Sequence, residues 1–131
     1  MGQGVITDKG VVGQIQKVGL RNSVVQLLQN RDSKIGGKIE RVGQYGVLTG
    51  NYPGAALFEF ITIDSNIKVG DRIVTSGVGL TLKDKTISPF PENFPIGEVV
   101  SVTRDPDVVD LLIQVKFYED MSTARDVFVL K

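Results

Sequence analysis

This sequence predicts an all-β fold, and three observations carry that expectation. Apolar residues recur at every second position or in short β-branched clusters, as in "VVGQIQKV" and "DRIVTS". Turn-forming residues, chiefly the 15 glycines together with Asn and Asp, interrupt those clusters, roughly every eight to twelve residues, the rhythm of a sandwich or barrel. Sustained helical periodicity is almost absent.

Taken in order, the β-branched "VIT" predicts a short strand near Val5–Thr7, and the alternation after Gly10 a longer one over Val11–Val18. "SVVQLL" gives Ser23–Leu28. Strands follow near Lys38–Val42 and Gly46–Thr49, with Gly43-Gln44-Tyr45-Gly46 as the turn between them, since glycine supplies the positive φ such turns need. Further strands are expected near Leu57–Ile61, Arg72–Ser76, Ile96–Val102, Leu111–Val115 and Asp126–Val129. Leu80–Pro95 carries three of the five prolines and reads mostly as loop. "EDMSTARDV" has the composition of a single helical turn.

The chain also repeats itself. Val12–Leu28 aligns with Ile96–Leu112 without a gap at an offset of 84 residues. Gly13 falls on Gly97, Val18 on Val102, and Val24-Val25 with Leu27-Leu28 on Val108-Val109 with Leu111-Leu112. A strand–turn–strand unit used twice explains this. Ile15/Val99 and Val18/Val102 are expected to point inward, and Gly97 to have either positive φ or a closely packed neighbour strand.

Composition narrows the chemistry. The 131 residues are enough to bury an apolar core. Lys plus Arg equals Asp plus Glu at 15 each, which argues against a main task of neutralising nucleic-acid phosphates. The densest basic stretch, Lys34–Arg41, reads as an ordinary strand face, so no nucleic-acid partner is predicted. With no histidine and no cysteine, the chain lacks His general bases, thiol nucleophiles, disulfides and the usual zinc ligands. No segment is long and apolar enough to span a membrane, and no signal peptide is evident.

Ser76, in "VTSG", is the one residue that invites a nucleophilic reading. A serine needs a base, and only lysines such as Lys68, Lys83 or Lys85 are nearby in sequence. "TSGVG" also lacks the Gly-x-Ser-x-Gly elbow. Asp64-Ser65-Asn66 reads as a turn, and "RDPDVVD" (Arg104–Asp110) as a solvated turn without the glycine and terminal glutamate of a calcium loop. "GVGL" is not followed by Lys-Ser/Thr, so no phosphate loop is present. No catalytic residue, metal or cofactor is predicted, and the residues describe a β domain that works by contact.

In order along the chain, "VITDKGVVGQIQKVG", "SVVQLL", "GVLTG", "IKVGDRIVTSGVG" and "FPENFPIGEVVSV" resemble the extracytoplasmic part of the bacterial rod-shape-determining MreC family. The resemblance covers roughly Gly4 to Val102, and more loosely the rest. It implies two small six-stranded β-barrel-like lobes forming one region over residues 1–131. It also implies a non-enzymatic scaffold of the cell-wall elongation machinery, maintaining rod shape through protein contacts and self-association. The implied partners are MreD, an elongation-specific class B penicillin-binding protein and, indirectly, the actin-like cytoskeleton. The implied location is extracytoplasmic, tethered by a membrane helix in the full-length protein. One lobe of the family has been compared with the barrel of chymotrypsin-like proteases, so the alternative reading is a serine hydrolase using Ser76 and a lysine.

The residues singled out as a structural motif are Gly13, Gly70, Asp71, Thr75, Ser76, Gly77, Phe90, Pro91, Pro95 and Gly97. Two departures accompany the resemblance. "LTLKDKTISP" is additional between Gly79 and Phe90, and the chain starts at the family's "VIT" strand. The expectation is therefore that one lobe is incomplete or re-paired, with an open strand edge.

Overall fold

The structure is a computed structural model that describes residues 3–51, 55–59, 66–77, 80–82, 85–87, 90–103, 112–119 and 126–130. Twelve strands follow one another: β1 (Gly4–Ile6), β2 (Val11–Val18), β3 (Ser23–Leu27), β4 (Lys34–Ile39), β5 (Gln44–Asn51), β6 (Ala55–Glu59), β7 (Arg72–Thr75), β8 (Leu80–Leu82), β9 (Lys85–Ile87), β10 (Pro95–Thr103), β11 (Leu112–Phe117) and β12 (Phe128–Val129). Among the described residues there is no helix.

Six strands close into a barrel in the order β10-β11-β6-β5-β4-β7. A four-stranded antiparallel sheet, β12-β1-β2-β3, forms the smaller lobe, and β8 and β9 pair as a separate ribbon. The barrel thus has the six strands the resemblance implies, and the sheet has four among the described residues.

Alternation places the core. In β11 the burial runs exposed, buried, exposed, buried, exposed, buried, which sends Ile113, Val115 and Phe117 inward. They meet Ile35, Ile39, Leu48, Phe58, Ile73, Ile96 and Val99. Val11 and Leu28 belong to the same cluster, with Ile6 and Leu130 packed against it, so the sheet is joined to the barrel by shared apolar burial. A second cluster of Val5, Val12 and Ile15 ties β1 and β2, with Val25 and Leu27 of β3 against it.

Several expectations need correction. The turn between β4 and β5 is Glu40–Gly43, three residues earlier than expected, and Tyr45 and Gly46 lie in β5. Gly43 supplies the positive φ there, at +72°, and its N–H closes the turn on the Ile39 carbonyl. Leu80–Pro95 is not loop throughout: its described residues include β8 and β9 and the first residue of β10, strands that the sequence reading did not expect. Its prolines all follow Ile87, so the ladder over "LTL" and "KTI" loses no donor.

The repeat is real in its first strand and shifted in its second. β2 and β10 correspond at the offset of 84, each with a register shift between the second and fourth residues past its glycine. Gly13 pairs with Leu27, however, and Gly97 with Phe117, an offset of 90 in the return strand. The second connection is six residues longer, and a gapless alignment cannot show that. Val18 is also exposed rather than inward, whereas Val102 is half-buried against the core. Asp64-Ser65, all of "RDPDVVD" and most of "EDMSTARDV" lie outside the described residues.

Candidate functional site

The motif residues converge where β7 meets β10 and the segment leading into it. Before β7 the chain reverses at Val69-Gly70. Gly70 sits at φ +94°, a backbone that side chains with a Cβ resist. The Asp71 N–H donates to the Lys68 carbonyl at 3.0 Å, and the Lys68 N–H donates back to Asp71 Oδ2 at 2.8 Å. The turn is then stitched to β10: Gly70 N–H donates to Val99 O and Val99 N–H to Asp71 O, at 2.8 and 2.9 Å.

Asp71 is buried and held from the side by Arg41, whose Nε and Nη2 donate to its two oxygens at 2.8 and 2.9 Å. Arg41 Nη2 also donates to the Asn66 carbonyl at 2.6 Å. A two-pronged, charge-assisted contact of this kind fixes orientation as well as charge. The Arg41 hydrogen bond, reinforced by the Lys68 N–H, outweighs burial and holds the Asp71 carboxyl below its ordinary range. Asp71 therefore joins the β4–β5 turn to the entry of β7.

Thr75 is fully buried and serves as the clamp on the other side. Its hydroxyl donates to the Pro91 carbonyl and accepts the Phe94 N–H at 2.9 Å. Its backbone N–H donates to Phe94 O, and its carbonyl accepts from Asn93 N–H. Four bonds thus seat "PENF" on one residue. Asn93 takes positive φ, 71°, which Asn tolerates better than most residues.

Phe90 is buried in the main core and meets Phe94 edge to face at 5.8 Å. Gly4 of β1 lies directly against the Phe90 ring, where a methyl group would be only 1.9 Å from the nearest ring carbon. Pro91 is exposed, while Pro95 is half-buried and opens β10 opposite Val74. Ser76 is buried and its N–H donates to Gly36 O at 3.1 Å. Gly77 follows at φ +75°.

The structure thus brings Gly70, Asp71, Thr75, Ser76, Gly77, Phe90, Pro91, Pro95 and Gly97 along one seam, and leaves Gly13 in the smaller sheet. Two partners of that seam were invisible in the sequence: Arg41, and Lys38, which pairs with Glu92 at 2.7 Å. Each raises or lowers the other as expected of a hydrogen-bonded ion pair: Lys38 is pushed up chiefly by Glu92, and Glu92 down chiefly by Lys38. Buried Glu119 after β11, bonded by the Thr7 hydroxyl after β1, is another missed pairing, separated by 112 residues. Among the described residues no three His, Cys, Asp or Glu side chains gather to hold a metal ion.

What this seam does is hold turns and strands. The family profile described as rod shape-determining protein MreC, barrel core, matches residues 1–131. The chain belongs to the MreC family. It is 34% identical over 116 residues to the cell shape-determining protein MreC of Escherichia coli, covering 88% of this chain and 29% of that protein. Across the curated relatives the chain spans between 27% and 42% of their length. Among solved structures, MreC from Pseudomonas aeruginosa superposes with a TM-score of 0.87 at 24% identity, covering 99% of this chain and 79% of that one. A complex between the penicillin-binding protein PBP2 and MreC from Helicobacter pylori gives 0.71 at 19%, covering 96% and 74%. At those identities the likeness to the solved structures speaks for the fold. Among the described residues, no helix is long and apolar enough to cross a membrane.

Proposed function

We propose that this MreC barrel core is a non-enzymatic scaffold of the cell-wall elongation machinery, contributing to rod shape by offering contact surfaces to other proteins. The observation that carries the reading is where the motif's polar groups go. Asp71, Thr75 and the Gly70 turn are spent on internal bonds, while apolar side chains stand exposed on the segments those bonds draw together. Val42 follows Arg41 in the β4–β5 turn, Val69 precedes Gly70, and Val100 follows Val99, which bonds to both Gly70 and Asp71. All three are exposed, at 42%, 66% and 44%. A clustered apolar rim on a rigid frame is a protein-contact feature.

Residues 1–131 act as one unit of two lobes in this reading. The partner supported most directly is a class B penicillin-binding protein, because a relative of the same fold is in complex with PBP2. MreD, self-association and an indirect link to the actin-like cytoskeleton complete the set, with the domain outside the cytoplasm and tethered to the membrane in the full-length protein.

The test is the affinity of this chain for the extracytoplasmic region of a class B penicillin-binding protein, measured by calorimetry. Val69→Glu is expected to weaken binding by at least about tenfold, since a charge would be desolvated in the contact, with no loss of thermal stability. Ser76→Ala is expected to leave binding unchanged. Binding unaffected by charges at Val42, Val69 and Val100 would overturn the assignment of the rim. An esterase or peptidase activity that vanished with Ser76→Ala would overturn the scaffold reading itself.

A further inference from the structure

β2 outruns its sheet. Its pairing with β1 ends at Gln14, with one further bond from Ile15 N–H to the Gln3 carbonyl. Beyond that point β2 pairs only with β3 among the described residues, closed by the Gly19 N–H to Asn22 carbonyl bond at 2.7 Å. Every residue from Gln16 to Val24 is exposed. A two-stranded ribbon with no sheet or core beneath it gains little from folding alone.

Its side chains are unusual for a free ribbon. Leu20 at the apex is fully exposed, and Val18 and Val24 are exposed at 58% and 51%. Val18 stands opposite Ser23, and Val24 opposite Lys17, so the two valines face opposite sides. Between Asp8 and Asp32 there is no acidic residue, yet there are Lys9, Lys17, Arg21 and Arg31, in a chain of zero net charge.

From this placement we propose that the β2–β3 tip is a membrane-contact element, which lowers Leu20, Val18 and Val24 into the headgroup layer of an anionic bilayer while Lys17 and Arg21 meet lipid phosphates. Apolar groups on both faces suit a medium that surrounds the ribbon; a flat protein surface would cover one face only. Two copies meeting tip to tip would oppose like charges. The ribbon's open backbone edges limit entry to the wet headgroup depth. This inference stands independently of the protein-contact rim.

The chain has no tryptophan, so Leu20→Trp makes the tip its sole indole reporter. With vesicles of phosphatidylglycerol and phosphatidylcholine at low salt, its emission is expected to shift to the blue, and not with phosphatidylcholine alone. Tyr45→Trp, in β5 of the barrel, is expected not to shift. In sedimentation with the same vesicles, replacing Lys17 and Arg21 together by Gln should lower partitioning roughly thirtyfold, from about fivefold per cation. Leu20→Asp should abolish it while the melting temperature stays put. No blue shift at low salt, equal binding to neutral vesicles, or undiminished binding by Leu20→Asp would each overturn the proposal. So would a shift without lipid that grows with protein concentration, which would assign the tip to a second copy of the chain.

Discussion

The twin glycines offer a severe test of how the two lobes differ. Neither Gly13 nor Gly97 has positive φ; both are pressed against the partner strand's backbone. A Cβ on Gly97 would stand 2.2 Å from Lys116 O, and one on Gly13 would stand 2.1 Å from Gln26 O. Ordinary contact begins near 3.5 Å, so each alanine needs over an ångström of separation from a carbonyl that cannot rotate away. Gly97 lies in β10, between β7 and β11 of a closed barrel, where movement of either neighbour disturbs the rest of the ring. Gly13 faces β3, which among the described residues is the last strand of its sheet and is laddered on one side only. Overpacking costs about 1–3 kcal/mol, and a weakened ladder bond about 1 kcal/mol more. Gly97→Ala is therefore expected to lose about 3 kcal/mol, a drop of roughly 10 °C in Tm for a domain of this size, and Gly13→Ala about half of that. Calorimetric melting of both variants decides. A Gly97→Ala protein melting within a degree or two of the parent, or a Gly13→Ala penalty equal to or larger than its twin's, would refute the argument from barrel closure.

Other outcomes follow from the seam. Thr75→Val leaves the Pro91 carbonyl and Phe94 N–H without their shared hydroxyl and should cost about 2–4 kcal/mol by denaturant titration. Asp71 has a lowered pKa when folded, so its contribution is present above the unfolded value of about 3.9 and is lost as pH falls through the folded one. Stability measured across the acid range should fall below about pH 4, and Asp71→Asn should flatten that fall while lowering stability at neutral pH. Glu92→Gln removes a half-exposed ion pair with Lys38 and should shift Tm by less than about 2 °C, an effect that disappears in high salt.

What the sequence disclosed and what it hid divide by range. β2 and β7 are legible because alternation and a flanking Gly or Gly-Asp turn are local signals, and Gly97 is placed for one of the two physical reasons expected of it, a closely packed neighbour strand. β4 begins at Lys34, ahead of its expected start at Lys38, because Gly36-Gly37 lowers the apparent strand propensity although both residues are paired in the ladder. β8 and β9 were hidden by prolines that lie beyond them. Arg41 with Asp71, and Thr7 with Glu119, could not be read at all. Barrel closure and lobe packing choose those partners, 30 and 112 residues apart, and no spacing rule reports them.

The two strand–turn–strand units show how one local pattern serves two ends. Gly13 and Gly97 meet their neighbours in the same way, and each unit shifts register soon afterwards. In the barrel unit the residues after that shift are gathered in: Val102 packs against the core, and Ile113 opposite it is fully buried. In the sheet unit the corresponding residues, Val18 and Ser23, stand in solvent. The same valine thus packs against the core in the barrel, where Val102 pairs with β11, and stands exposed as Val18 in the sheet, where among the described residues no strand follows β3. Periodicity fixes that a strand exists; the neighbours supplied by topology decide which of its apolar residues form core and which remain on the surface to meet a partner.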